Sequence, residues 1–151
     1  MIGKVLSVIA GIMLVNSFYM PWYKFEGITN ISPLDVFNFY VSQPFTSDSS
    51  WKILTMAGII VLGGLMIVTS LFPKLFLSLI KLVLAVILIV AHVGYFYATV
   101  ISKGNPLDII KLYETSPGFL LFLAAMFIYF FTILMAIVFS PLTGLKKLVG
   151  L

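Results

Sequence analysis

Ser32-Pro33-Leu34-Asp35-Val36-Phe37-Asn38-Phe39-Tyr40 recurs in altered form as Asn105-Pro106-Leu107-Asp108-Ile109-Ile110-Lys111-Leu112-Tyr113. Both copies read as a capping residue, then Pro-Leu-Asp, two apolar residues, a variable position, an apolar residue and Tyr. Pro at the first helical position and Asp three residues after the cap predict a short helix in each copy, with caps Ser32/Asp35 and Asn105/Asp108. Each copy lies between two long apolar runs, so the chain divides into two hydrophobic hairpins with a short helix on each connecting loop. A duplication would relate the hairpins by an axis along the membrane normal. The alternative is that cap-Pro-Leu-Asp is simply an efficient way to start a helix, and beyond the nine-residue echo the flanking runs do not align well. In either case the short helices are expected to lie against each other.

The runs themselves set the solvent. In 151 residues, 62% are hydrophobic and 9% charged, and the mean hydropathy is +1.19, far from the composition of a soluble domain. Crossing a hydrocarbon core of about 30 Å takes roughly 20 helical residues, which four runs supply: 2–20, 53–72, 75–101 and 119–139. A β-barrel would show short alternating segments instead. The expected fold is an all-α integral membrane protein: a single four-helix bundle with connecting loops over 21–51 and 102–118. The first run, though it starts basic and apolar, offers no small-x-small cleavage site near Asn16-Ser17-Phe18-Tyr19 and reads as a retained span.

Charge gives the orientation. Lys4, Lys74, Lys81, Lys146 and Lys147 fall on one side with no acid. Lys24, Lys52, Lys103 and Lys111 share the other with Glu26, Asp35, Asp48, Asp108 and Glu114. The positive-inside bias therefore puts both termini in the cytoplasm and both large loops outside. Because the lysines are dispersed around apolar helices, topology accounts for the formal charge of +4, and no nucleic-acid partner is implied.

Within the first loop, Pro21 ends the first span, and Trp22 and Tyr23 carry rings suited to the lipid–water boundary. Trp22-Tyr23-Lys24-Phe25 and Ile28-Thr29-Asn30-Ile31 read as a small hairpin turning at Glu26-Gly27. Thr46-Ser47-Asp48-Ser49-Ser50 reads as a polar linker. Lys81, two turns inside the third span, is expected to snorkel back to the interface. Asn30-Ile31-Ser32 matches a glycosylation sequon, with Ser32 also serving as a cap.

Chemistry-bearing residues are few. No cysteine is present and every basic residue is Lys, so thiol chemistry, thiolate metal sites and bidentate guanidinium recognition are excluded. No catalytic residue is assigned and no cofactor is expected. His92, the single histidine, is an intramembrane ionisable group. It is either a haem, metal or quinone contact or a neutral imidazole bonded between helices, to Tyr129 or Thr132. Asp35 and Asp108 would form a cation site if the two short helices met, although each is already accounted for at a helix start. Gly3, Ser7 and Gly11 on the first span, and Thr132, Ala136 and Ser140 on the fourth, form small-residue stripes that permit close helix approach, within the chain or toward a partner. Ala91, Gly94 and Ala98 do the same on the third.

The first span running into Pro21-Trp22-Tyr23 resembles small prokaryotic four-span membrane proteins whose first helix ends in Pro-Trp, and the topology resembles the claudin-like arrangement. The Cys pair and Gly-Leu-Trp of claudins are absent here, so no paracellular role is carried over. The resemblance implies a fold and no activity. The residues point to a non-catalytic structural or accessory subunit, in a cell membrane or an envelope, whose partners are the bilayer and other membrane subunits or further copies of itself. The rival expectations are an oligomeric channel or small-solute transporter, and a redox or quinone-handling subunit using His92.

Overall fold

The structure, a computed structural model, describes residues 2–25, 28–72, 75–96 and 116–139. In chain order the elements are α1 (Ile2–Tyr19), β1 (Tyr23–Phe25), β2 (Ile28–Ile31), α2 (Pro33–Val41), α3 (Ser47–Leu71), α4 (Leu75–Phe96) and α5 (Pro117–Phe139). The helices α1, α3, α4 and α5 are each long and apolar enough to cross a membrane. In lipid such runs must be helical, because only the helix satisfies every backbone amide and carbonyl within one segment.

Packing is centred on α1, which lies against both α3 and α5, while α4 joins the bundle through α3. The intimate crossing is α1 on α3. A Cβ added at Gly11 would stand 2.7 Å from the Gly63 carbonyl oxygen, and one added at Gly63 would stand 2.9 Å from that of Gly11. Two backbones approach this closely only where neither carries a side chain. One turn away, the Ser7 hydroxyl donates to the Met66 carbonyl across the same interface, at 3.3 Å. On the other flank of α3, a Cβ at Gly58 would meet Leu88 of α4 at 2.9 Å. Ala10, Leu14, Ile59, Leu62, Met66, Ala85, Leu88, Phe122, Ala125 and Met126 fill the interior and are all buried. Exposed apolar residues recur at helical spacing on the opposite sides, such as Phe76, Leu79, Val83, Val86 and Val90 of α4.

At one end of the bundle, β1 and β2 pair antiparallel, Tyr23 opposite Ile31 and Phe25 opposite Ile28. Ser32 then caps α2: its hydroxyl accepts from the Asp35 amide at 3.2 Å, and the Asp35 carboxylate accepts from the Ser32 amide at 2.8 Å. This reciprocal pair satisfies two amides that a helix start leaves open. The helix so started packs against α3.

Two sequence expectations are corrected. Thr46–Ser50 is not a linker but the start of α3: Thr46 and Ser49 form a second capping box, so the helix begins six residues before the apolar run. Short hydroxyl residues read as loop in composition, yet they are also the best helix starters. Trp22 is not at a lipid boundary, being 0% exposed. The Lys81 ammonium donates to the Thr69 hydroxyl at 2.9 Å, two residues from the end of α3, and lies 5.3 Å from the centre of the Tyr129 ring. The second copy of the repeated motif, with Asn105 and Asp108, lies outside the described residues, as does Ser140.

Candidate functional site

The densest convergence of aromatic and polar groups is at the hairpin end, where α1 stops. Pro21 breaks the helix, and the backbone turns Trp22 inward: its amide donates to the Ile31 carbonyl at 2.9 Å, and its indole Nε1–H donates to the Ser17 carbonyl at 2.7 Å. A buried indole needs such a partner. The start of α5 closes over it, with the Gly118 amide donating to the Pro21 carbonyl at 2.9 Å. A Cβ at Gly118 would stand 2.5 Å from Trp22 Cδ1 and 2.7 Å from the Met20 carbonyl oxygen, so only glycine lets α5 cross there.

His92 enters this nest from α4. Its ring meets the edges of Trp22, with centroids 5.1 Å apart, and of Phe122, at 5.4 Å, and it is 2% exposed. Phe119 and Phe122 complete the aromatic wall against Trp22, at 5.3 and 5.1 Å. Nε2 lies 3.1 Å from the Thr55 carbonyl oxygen of α3. A carbonyl only accepts, so Nε2 carries the proton and donates. The expected partners were Tyr129 and Thr132. Both are too deep along α5, and the Thr132 hydroxyl is spent on the Tyr129 carbonyl of its own helix, at 2.6 Å. Among the described residues Nδ1 has no hydrogen-bond partner.

This arrangement ties all four long helices at one level: α1 through Trp22, α3 through Thr55, α4 through His92 and α5 through Phe122. Chemically it can act as a rigid polar lock. Nε2 is committed to the Thr55 carbonyl, so ligation of a metal through that nitrogen would break the bond across to α3.

The remaining sequence candidates separate from this site. Ser7 and Gly11 are used inside the chain, on α3, whereas a Cβ at Gly3 would meet nothing within 4 Å. Thr132 is half-buried and Ala136 exposed on α5. Ala91 is half-buried, and Gly94 is exposed with open space beside it. Asp35 is occupied by its cap, where its Oδ2 also accepts from the Ser32 hydroxyl at 2.7 Å. That bond commits the hydroxyl of the Asn30-Ile31-Ser32 sequon to the helix start. Asp48 pairs with Lys52 at 2.8 Å on the surface of α3, and Lys52 also reaches the Tyr40 hydroxyl of α2, at 3.0 Å. Among the described residues no group of three or more His, Cys, Asp or Glu gathers where a metal ion would sit. Trp22 is the central residue that sequence reasoning misplaced, and Gly118 the one it missed; the Pro-Gly pair at 117–118 was the available signal.

Searches against protein-family profiles, curated proteins and solved structures gave no match for this chain.

Proposed function

We propose that this chain is a non-catalytic multi-pass subunit of a larger membrane assembly or envelope, with both termini cytoplasmic. The observation that carries this reading is how the interior is used. The positions facing the bundle axis are occupied by close-packed apolar side chains, and two of the polar groups among them make helix-to-helix bonds, Ser7 to Met66 and His92 to Thr55. A solute path through a single bundle would need that core to open, which weighs against a transporter acting as a monomer. The outward surfaces of α4 and of the second half of α5 are broad and apolar, with Phe127, Phe131, Leu134 and Val138 exposed beside Ala136. Thr132 and Ala136 give that half of α5 a place where a second transmembrane helix can approach closely.

Orientation rests on charge. The described carboxylates, Asp35 and Asp48, stand at the hairpin end, whereas Lys4 and Lys81 stand at the other without one. Placing the hairpin end outside satisfies the positive-inside bias.

Native mass spectrometry of protein gently extracted from its own membrane tests the proposal, with an absorption spectrum of the same sample. The expected result is a colourless, stoichiometric complex with larger subunits that Ala136→Phe dissociates. A homo-oligomer with no other subunit would replace the accessory reading with a channel or envelope protein. A bound haem or quinone lost in His92→Ala would replace it with a redox subunit.

A further inference from the structure

Lys81 sits about 9 Å along α4 from its first residue, at 1.5 Å per residue. Its ammonium turns toward the bundle rather than toward water. It donates to the Thr69 hydroxyl of α3 at 2.9 Å and lies over the Tyr129 ring of α5, 5.3 Å from the centroid. Three helices therefore hold one cation, and none contributes a carboxylate: the described acids stand at the other end of the molecule, Asp48 already paired with Lys52. The Thr69 hydroxyl is no counter-ion either, since it passes its own proton to the Leu65 carbonyl at 2.7 Å.

A second observation comes from Tyr129 itself. The residue is 3% exposed, and among the described residues its hydroxyl has no hydrogen-bond partner. A buried phenol ordinarily finds one. Two ammonium N–H groups and a phenol O–H thus occupy one level of the bundle, between α4 and α5, with no acceptor among the described residues. At this level α4 packs chiefly on α3 and α5 chiefly on α1, with Lys81 over the Tyr129 ring as the contact between α4 and α5. A set of donors around a cation with no anion of its own recognises an anionic oxygen, and Thr69, two residues from the end of α3, draws the ammonium toward the membrane boundary, where the anionic oxygens are lipid phosphates.

We propose that Lys81 and Tyr129, with Thr69 fixing the lysine, form a binding site for one phosphate group, supplied by an anionic lipid whose headgroup enters between α4 and α5. The ammonium takes the phosphate charge, the phenol donates a further bond, and the acyl chains lie along the exposed apolar face of α4. The site is independent of the accessory role and of the His92 lock.

The test is native mass spectrometry of the purified full chain, delipidated and then titrated with phosphatidylglycerol or phosphatidylcholine. Wild type is expected to retain a single phosphatidylglycerol at least tenfold more tightly than phosphatidylcholine. Lys81→Gln should abolish that preference, Tyr129→Phe should weaken it several-fold while keeping the ring under the cation, and Lys4→Gln, an exposed lysine at the same end, should leave it unchanged. Lys81→Arg should retain it, so a folding defect in the Gln variant does not decide the outcome. Displacement of the lipid by excess inorganic phosphate would support the phosphate site with a soluble anion as its source, and resistance to displacement would support the lipid. Equal retention of phosphatidylglycerol by wild type, Lys81→Gln and Tyr129→Phe would overturn the proposal.

Discussion

Gly63 and Gly64 are neighbours on one helix at the same depth, yet the crossing of α1 and α3 predicts opposite results for the same substitution. A Cβ at Gly64 meets nothing within 4 Å, whereas one at Gly63 stands 2.9 Å from the Gly11 carbonyl oxygen, 2.9 Å from Val15 Cγ2 and 3.3 Å from Leu14 Cβ. Val15 can rotate; the Gly11 carbonyl cannot, because it belongs to α1. A carbon meets a carbonyl oxygen comfortably at about 3.3–3.6 Å, so Gly63→Ala must push the helices apart by roughly 0.4–0.7 Å. A gap of that order forfeits about a quarter to a half of the dispersion energy of each contact that opens. With some 20–30 atom pairs at the crossing, each worth about 0.1–0.2 kcal/mol, the loss is about 1–2 kcal/mol. The Ser7 bond to Met66, already 3.3 Å long, goes with it, and an interhelical hydrogen bond in a membrane protein averages about 0.6 kcal/mol. Alanine recovers roughly 1 kcal/mol of helix propensity at either position.

Gly63→Ala should therefore destabilise by about 1–2 kcal/mol, and Gly64→Ala should be neutral or stabilising by up to about 1 kcal/mol, a difference near 2 kcal/mol. Reversible unfolding in mixed micelles with rising dodecyl sulfate, followed by tryptophan fluorescence, measures both. Gly11→Ala should behave like Gly63→Ala. The double variant should cost less than the sum, because helices already separated for one methyl have room for the second. Equal effects at 63 and 64, within about 0.5 kcal/mol, would refute a backbone-to-backbone crossing.

Other expectations are read with the same assay. Trp22→Ala removes the side chain that fills the hairpin end and should cost about 3–5 kcal/mol, and Gly118→Ala, driven into Trp22 and the Met20 carbonyl, should cost about 1–3 kcal/mol. His92→Phe keeps a ring among Trp22 and Phe122 and loses only the Thr55 bond, so it should cost no more than about 2 kcal/mol, while His92→Ala opens a cavity and should cost more; a Phe variant of native stability that loses a bound chromophore would instead give the imidazole a chemical role. Ser32→Ala should cost about 1 kcal/mol, seen as faster amide exchange confined to the first turn of α2, whereas Asp48→Asn, which breaks an exposed pair, should change stability by less than about 0.5 kcal/mol.

What the sequence disclosed, and what it withheld, follows from where each signal is written. Four apolar runs specify four long helices, because lipid leaves the backbone no alternative. The Ser32 cap was legible since all its partners lie within four residues. The same local grammar, spelled in Thr46 and Ser49, was taken for a linker because its apolar continuation starts only after Trp51 and Lys52. Pairings between helices leave no such trace. Gly11 and Gly63 each look like one of several small residues until the crossing selects them, and Gly3 and Gly64, equally small, end in open space.

The aromatic residues show the same limit from the other side. Trp at the end of a membrane span is expected at the interface, and the expectation fails here because Ser17 offers the indole a carbonyl one turn back and Gly118 admits α5 above it. Once Trp22 is inside, the hairpin end of α4 must present something that packs on an indole edge and still bonds across to α3. His92 meets both demands, its ring against Trp22 and Nε2 on Thr55. The histidine is thus explained by its neighbours without a ligand. Lys81, at the other end, is not: its neighbours are a hydroxyl and a ring, and the charge they leave uncompensated is why the phosphate site, rather than the histidine, is the better place to look for a bound molecule.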